Sequence, residues 1–321
     1  DLVRSRGLGD VYKRQVGNMN IWTGEITYTE QAYNQVGSGV IYQLNKNDGS
    51  AYIITNYHVV YSADSNADKI SQNIEIYLYG SSDTPITATY VGGSMTYDIA
   101  VLKVENSEFL KNSSAQAVEI AAANTISVGD SAIAIGNPEA QGISATQGIV
   151  SVDSEYVTML APDDKTVVTY RSMRIDTSIN SGNSGGGLFN NSGQLMGIVN
   201  SKANSSSIEN IAYAIPIDIA IPVADNIIYN ASNNNGVLNL DLGLTVSGTD
   251  SKAVYDETTH TTQIVENATI TEIASGSIAE TLGLNAGDII TAITINDKTT
   301  EITRAYMVLS LIHISEPTRP Y

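Results

Sequence analysis

The stretch "SGNSGGGLF", residues 181–189, places Ser184 among four glycines. Glycine has no Cβ and adopts positive φ at little cost, so such a cluster marks a tight turn or a close approach to the main chain. Gly, Ser and Asn are also common in flexible surface loops, which is the alternative interpretation. A base and an orienting acid elsewhere in the chain would decide between the two.

The chain has three histidines, of which His58 is the candidate base. It directly follows the predicted strand "AYIITN", which would deliver the imidazole to a strand end; a histidine satisfied within the core is the alternative. His260 lies in the polar turn "DETTHTTQ", where we expect a solvated loop histidine, and His313 lies in the last segment of the chain.

Asp98 is the candidate acid, because it begins the apolar strand of "TYDIAVLKV", residues 96–104. A carboxylate in that place is costly unless a buried group needs its charge, although a turn or strand-capping aspartate is the alternative. A serine hydroxyl becomes nucleophilic when an imidazole accepts its proton and a buried carboxylate fixes the tautomer of that imidazole. These are the residue types of a Ser-His-Asp triad.

Taken together, the three segments resemble the HtrA (Deg) family of trypsin-like serine proteases. The matching stretches, in family order, are "TNYHVV", "YDIAVLKV" and "GNSGGGL", together with "GNPEAQGISATQGIVS" (136–151) and "IAYAIP" (211–216). The resemblance runs from about residue 19 to residue 308. It implies that His58 is the general base, that Asp98 orients it, and that Ser184 is the nucleophile. It also implies an oxyanion hole formed by the backbone N–H groups of Gly182 and Ser184.

Residues 200–216 are expected to supply an edge strand and the wall of the specificity pocket. We expect Ile211, Tyr213 and Ile215 to be the substrate-binding residues, although strand alternation could turn any of them away from the pocket. None of them carries a charge that would hold Lys or Arg, and the resemblance implies cleavage after Val, Ala, Ile or a similar residue. Position 187 is Gly where the family more often has Pro or Ala, so we expect a looser loop after the nucleophile.

Short β-rich segments separated by turn signals continue from about residue 37 to residue 217, which favours an antiparallel barrel or sandwich. Helical spacing follows over residues 218–230. With the resemblance, the predicted fold is mainly β: a trypsin-like double β-barrel protease domain followed by a partial PDZ domain. The predicted limits are 16–230 for the protease domain, 231–237 for a linker and 238–308 for the truncated PDZ domain.

The PDZ prediction rests mainly on "GSIAETLGLNAGDII" in the second half of that segment. By the same resemblance, Leu242, Gly243 and Leu244 form the loop that receives the free carboxylate of a peptide C-terminus, beside an edge strand that the peptide extends. A plain strand start is the alternative for this short motif. The groove helix is expected over residues 301–309, directly before the segment that we assign below to an adapter. The strands that close the domain after this helix in the family would then be missing, so we expect a loosely folded domain that binds C-termini poorly.

The two ends of the chain differ in sequence pattern from the rest. "SRGLGDVYKRQ" (5–15) and "LSLIHISEPTRPY" (309–321) read as the two strands of one sequencing-library adapter. We therefore expect residues 1–15 and 309–321 to be adapter-derived scars, which different codons in the underlying DNA would disprove.

Composition excludes several classes of protein. The formal net charge of −18 argues against a nucleic-acid partner, which would need a concentration of Lys and Arg. The absence of cysteine excludes disulfide scaffolds, thiolate zinc sites and cysteine nucleophiles. We expect no cofactor and no metal.

The resemblance also implies partners and a location. The expected function is ATP-independent degradation of unfolded or damaged polypeptides outside the cytoplasm, by a membrane-anchored or secreted bacterial protein that forms a homotrimer. Two alternatives remain: a catalytically silent holding chaperone that uses the same cleft, and a scaffold that binds peptide C-termini through the PDZ domain. A fluorophosphonate label on Ser184 would separate the protease from both.

Overall fold

The computed structural model describes residues 2–8, 14–19, 26–31, 35–63, 65, 69–78, 84–122, 125–137, 143–200, 211–233, 242–257, 261–295 and 297–312. The chain divides into two compact units, residues 1–220 and 221–321, and each is described by itself. His260, His313 and residues 234–237 of the predicted linker lie outside the described residues.

The first half of the first unit is built from strands and two short helices. These are β1 (Leu2–Leu8), β2 (Arg14–Met19), β3 (Ile26–Gln31), β4 (Gln35–Asn45), β5 (Ser50–Thr55), α1 (Tyr57–Val60), β6 (Asn73–Leu78), β7 (Ile86–Ser94), β8 (Ile99–Val104) and α2 (Glu108–Asn112). The strands close into a barrel in the order β1-β4-β5-β8-β7-β6, and β2 pairs with β3 as a separate hairpin. Ile41, Ile53, Ile76 and Leu102 are among the side chains that fill its core.

Strand β1 belongs to the stretch that the sequence assigns to the adapter. Its backbone pairs with β4 on one side and β6 on the other, so it completes the first barrel. The origin of residues 1–15 stays a prediction, and so do the domain limits.

The second half of the first unit forms another closed barrel. Its strands are β9 (Ser131–Gly136), β10 (Ser144–Leu160), β11 (Val167–Ile175), β12 (Gly187–Phe189), β13 (Leu195–Asn200) and β14 (Ala212–Pro216), in the order β10-β11-β14-β13-β12-β9. Strand β9 buries every second residue: Ala132, Ala134 and Gly136 are buried, and the isoleucines between them are half-buried. The predicted mainly β fold with a double-barrel protease domain is confirmed.

At residue 187 the chain after the nucleophile is a paired strand and not a loose loop. Gly187 begins β12 and is paired with Ile198 of β13 and with Ile135 of β9. A Cβ at this position would collide with the ring of Phe189, which is buried two residues later. The expectation is therefore wrong, because Phe189 occupies the space that Pro or Ala would need.

The expected edge strand is also wrong for the part of residues 200–216 that the structure describes. Strand β14 pairs with β11 on one side and with β13 on the other, so it lies in the interior of the barrel sheet. Residues 201–210 lie outside the described residues.

The second unit contains a small sheet and helices. Helix α3 (Ile217–Asn233) leads into it and extends the helix predicted over 218–230 at both ends. It is followed by β15 (Leu244–Asp256), β16 (Thr261–Ile273), α4 (Ile278–Thr281), β17 (Ile289–Ile290), β18 (Ala292–Ile295), β19 (Lys298–Glu301) and α5 (Ala305–Ile312). The sheet order is β15-β16-β17, and β18 pairs with β19.

The predicted groove helix begins four residues later than expected. Residue Glu301 ends β19, and the helix starts at Ala305, whose N–H donates to the Glu266 carboxylate at 2.9 Å. Glu266 thus satisfies a helix-terminal N–H from a distant strand, which sequence reasoning about neighbouring residues could not find. Among the described residues, no helix is long and apolar enough to cross a membrane.

Candidate active site

Ser184 lies in a buried turn immediately before β12. Gly182 and Gly185 on its two sides have φ of 96° and 83°, values that L-residues rarely adopt, so the glycines are needed for the shape of the turn. The turn is tied to its own barrel, because the N–H of Gly185 donates to the Val199 carbonyl at 3.0 Å. Ser184 itself is only 3% exposed.

His58 reaches Ser184 from the first barrel. Strand β5 ends at Thr55, Asn56 precedes the single turn of α1, and His58 is the second residue of that turn. Its Nε2 lies 2.9 Å from the Ser184 Oγ, and its Nδ1 lies 2.6 Å from the Asp98 Oδ2. The structure therefore brings the three predicted catalytic side chains together in one hydrogen-bonded chain.

Asp98 is held on both its backbone and its side chain. Its φ of 52° is left-handed, a conformation that Asp and Asn adopt more readily than other residues with a Cβ. Its carbonyl accepts hydrogen bonds from the N–H of Tyr57 and from the side-chain amide of Asn56. Its Oδ1 accepts the His58 N–H at 2.8 Å. Asp98 is thus fixed relative to the His58 turn.

Asn200, at the end of β13, is a site residue that the sequence analysis missed. Its side-chain amide donates one hydrogen bond to the Asp98 Oδ2 at 2.9 Å and another to the Tyr170 hydroxyl at 2.7 Å. Asn200 is wholly buried. The chain offers no motif around it that would have identified it, because its partner is 102 residues away.

Tyr170 supports Asn200 from β11. Its hydroxyl lies 3.2 Å from the Met159 sulfur, to which it donates. Burial raises the pKa of Tyr170 far above its ordinary value, and the negative charge of Asp98 raises it further. The phenol therefore stays neutral. The buried Asp98 carboxylate thus has no second negative charge near it.

The arrangement can transfer a proton from a serine hydroxyl to an imidazole whose other nitrogen is held by a carboxylate. Among the described residues, no group of three or more His, Cys, Asp or Glu side chains is arranged to hold a metal ion.

Comparison with known proteins shows the family of this chain. Residues 37–198 match the model of the trypsin-like peptidase domain, a span that contains His58, Asp98 and Ser184. The chain belongs to the trypsin-like peptidase family. Within this family it is similar to HtrA serine proteases of Bacillus, Lactococcus and Staphylococcus.

Three relatives illustrate the similarity. The chain is 34% identical to the serine protease Do-like HtrA of Bacillus subtilis over 82% of its own length and 55% of that protein. It is 31% identical to the serine protease Do-like HtrA of Lactococcus lactis subsp. cremoris over 80% of its length and 60% of that protein. It is 35% identical to the serine protease HtrA-like protein of Staphylococcus haemolyticus over 65% of its length and 31% of that protein. The chain thus spans between 31% and 60% of the length of these relatives.

The predicted pocket residues of this peptidase are Ile211, Tyr213 and Ile215. They alternate along β14 and the residue before it, so they lie on one face of the strand. Ile215 is completely buried opposite Ile198, whereas Ile211 and Tyr213 are half-buried. Burial raises the pKa of Tyr213 and the neighbouring Glu155 carboxylate raises it further, while Arg174 opposes them. Of the three, Ile211 and Tyr213 have surface that a substrate could contact.

The charges near Tyr213 are paired. The Arg174 Nε lies 3.5 Å from the Glu155 Oε1, and Arg174 is the register partner of Tyr213 in β11. A carboxylate that already has a guanidinium partner is a poor receptor for the side chain of Lys or Arg. We therefore do not expect Glu155 to attract the side chain of Lys or Arg into the predicted pocket of this peptidase.

The predicted carboxylate loop lies at the start of β15. Leu242, Gly243 and Leu244 are all half-buried, and Gly243 has a φ of 68°. The carbonyls of Leu242 and Gly243 accept the N–H groups of Ala279 and Ala274 at 2.9 and 2.8 Å. In the described sheet β15 pairs with β16 alone, so one edge of β15 is open. The PDZ assignment and the role of this loop stay predictions.

Proposed function

We propose that this chain is an HtrA-type serine endopeptidase that degrades unfolded or damaged polypeptides without ATP. The single observation that carries the proposal is the continuous hydrogen-bonded chain from the Ser184 hydroxyl through His58 to Asp98. Peptide-bond hydrolysis through an acyl-enzyme needs no nucleotide, since each step only moves protons and an acyl group.

In the proposed mechanism His58 Nε2 accepts the proton of the Ser184 hydroxyl as the oxygen attacks the peptide carbonyl. Asp98 holds the Nδ1–H tautomer and stabilises the imidazolium that forms. His58 then gives its proton to the leaving amine, and the carboxyl half of the substrate departs. Water, deprotonated by the same imidazole, hydrolyses the acyl-enzyme and restores Ser184.

The oxyanion of each tetrahedral intermediate would be held by the backbone N–H groups of Gly182 and Ser184. The Gly182 N–H donates to no acceptor among the described residues, which supports this role. Such donors are most effective when their direction is fixed before the reaction begins.

For specificity we propose that Ile211, Tyr213 and Ile215 shape a pocket for a small aliphatic residue before the scissile bond. Their apolar surfaces and the mutual neutralisation of Glu155 and Arg174 support this proposal. The extracytoplasmic location, the homotrimer, and the binding of peptide C-termini by the second unit complete the proposal, and their support is the resemblance to HtrA proteases. The intact triad favours the protease over a silent chaperone or a scaffold.

The test is a fluorophosphonate reaction combined with the digestion of casein. We expect one equivalent of label on the peptide that contains Ser184, because only an activated serine reacts rapidly with this reagent. Casein fragments should begin after Val, Ala or Ile. A chain that neither takes the label nor cuts casein would contradict the protease, and cuts that follow mainly Lys or Arg would contradict the pocket alone.

The second unit is expected to bind peptide C-termini weakly. Its core cluster around Val246 and Val308 holds five buried residues, whereas the exposed apolar side chains around α4 and β17 are Ile278, Leu282 and Ile289. A core this small does not hold a groove rigid, so much of the binding free energy would be spent on ordering it. Titration with a fluorescent peptide ending in Val measures the affinity, with the C-terminally amidated peptide as control. Binding tighter than about 1 μM that amidation abolishes would show the expectation to be wrong.

A further inference from the structure

Ser38 is a buried polar residue in β4 that the mechanism above does not use. It stands between two glycines in "GSG", residues 37–39, and is 1% exposed. A polar side chain this deeply buried is unfavourable unless its hydrogen bonds are satisfied. The bonds of Ser38 cross from the first barrel to the turn that carries Ser184.

Two of these bonds hold carbonyls of the nucleophile turn. The N–H of Ser38 donates to the Ser184 carbonyl at 2.8 Å, and the Ser38 hydroxyl donates to the Gly182 carbonyl, also at 2.8 Å. The two carbonyls belong to the two residues whose N–H groups would bind the oxyanion. Ser38, a residue of the first barrel, therefore holds both carbonyls.

The Ser38 hydroxyl has no freedom to turn elsewhere. Its oxygen accepts the N–H of Asn137 at 2.9 Å, which leaves its hydrogen for the Gly182 carbonyl. The carbonyl of Ser38 in turn accepts the hydroxyl of Thr55 at 2.7 Å. Asn137 and Thr55 are wholly buried, so this network is shielded from water.

Gly182 is the residue of the turn that most needs such a bond. Its φ of 96° is accessible to glycine, but glycine can also rotate to other φ values at little cost. The peptide that follows it is held on one side by Ser38 and on the other by the N–H of Asn183, which donates to the Asn180 carbonyl at 3.1 Å. Without Ser38, only the second bond restrains this peptide.

We propose that Ser38 is a positioning residue that keeps the oxyanion hole formed in the resting protein. Its hydroxyl holds the Gly182 carbonyl, which belongs to the peptide that follows this residue. With that peptide held, rotation of the Gly182 backbone is restricted, and this keeps the N–H of the preceding peptide directed at the developing oxyanion. The inference rests on the proposed function, because the oxyanion forms only when Ser184 attacks a substrate carbonyl. It assigns the serine of the GSG stretch a part in transition-state stabilisation from the opposite barrel.

The test is Ser38→Ala, compared with wild type on a peptide substrate. Losing an oxyanion donor costs about a hundred- to a thousand-fold in kcat, so a donor that is misdirected part of the time should cost roughly ten- to a hundred-fold. KM should stay within about threefold, since the substrate's ground state makes little use of the hole. A peptide boronate, whose adduct with Ser184 places an oxygen in the hole, should lose affinity by the same factor as kcat, while a product peptide should not.

The matched control is Ser65→Ala in the same barrel. Ser65 is 9% exposed and its hydroxyl also donates to a backbone carbonyl, that of Ile70 at 2.6 Å, far from the turn in the sequence. The same substitution there should lower the melting temperature without changing kcat or boronate affinity. Ser38→Cys fills the site with a somewhat larger γ atom whose S–H is a weaker donor, so it replaces Ser38→Ala if the alanine variant does not fold.

The outcomes separate this inference from the proposed function. Wild-type kcat and boronate affinity in Ser38→Ala would overturn the role of Ser38 while leaving the protease intact. An equal loss of boronate and product-peptide affinity would also overturn it, since that would indicate general loosening of the cleft. Unchanged turnover in Ser184→Ala would instead remove the proposed function, and the inference with it.

Discussion

Ser184→Ala is expected to lower the hydrolysis of casein by on the order of a million-fold, to the limit of detection. The His58 Nε2 lies 2.9 Å from the Ser184 Oγ and would have no hydroxyl to activate once that oxygen is removed. The substitution removes one atom from a site that is 3% exposed, so the fold should survive it. Fluorescein-labelled casein measures the rate, and circular dichroism confirms that the variant is folded.

The control for this substitution is Ser192→Ala, which removes an exposed hydroxyl from the turn between β12 and β13. It should cleave casein at the wild-type rate. Measurable turnover by Ser184→Ala, at more than about one thousandth of wild type, would mean that another residue is the nucleophile.

Asp98→Asn is expected to lower kcat by about four orders of magnitude. Asparagine tolerates the φ of 52° and matches the volume of aspartate, so the backbone should not change. The asparagine amide group, however, would present N–H donors where His58 Nδ1–H and Asn200 now donate to Oδ2. To recover a hydrogen bond, His58 would adopt the tautomer with a proton on Nε2, which cannot accept the proton of Ser184.

Asp163→Asn is the matched control, since it makes the same substitution at an exposed carboxylate in the turn between β10 and β11. Among the residues that the structure describes, that carboxylate bonds only to Thr166 and Lys165, whose hydrogen bonds lower its pKa to about 2. Casein turnover should not change. If Asp98→Asn lost less than tenfold in kcat, the tautomer role of Asp98 would be wrong.

The positions of the three triad residues could be predicted because each lies at the end of a strand that is visible in the sequence. The apolar runs that become β5 and β8 lead into His58 and follow Asp98, and the glycines around Ser184 mark the turn before β12. Strand alternation and turn chemistry are local, so a single sequence carries them. The β-barrel fold could be predicted for the same reason, and the structure confirms it.

Other predictions failed or were missed because they depend on neighbours that are distant in the sequence. The loose loop at Gly187 was wrong because Phe189 fills the space beside it, and β14 is interior because β11 and β13 both pair with it. The start of α5 was misplaced because the carboxylate that accepts its first N–H is 39 residues away. No local pattern reports such partners.

The sequence by itself determined which residue types are available: one histidine after a strand, one aspartate at the start of another, and one serine among glycines. Only the tertiary structure decided how they are held. Asn200 meets Asp98 across 102 residues, and Ser38 meets Gly182 across 144. Hydrogen bonds require their atoms within about 3 Å, and two closed barrels bring such distant atoms together through the packing of their whole cores, which no short segment encodes.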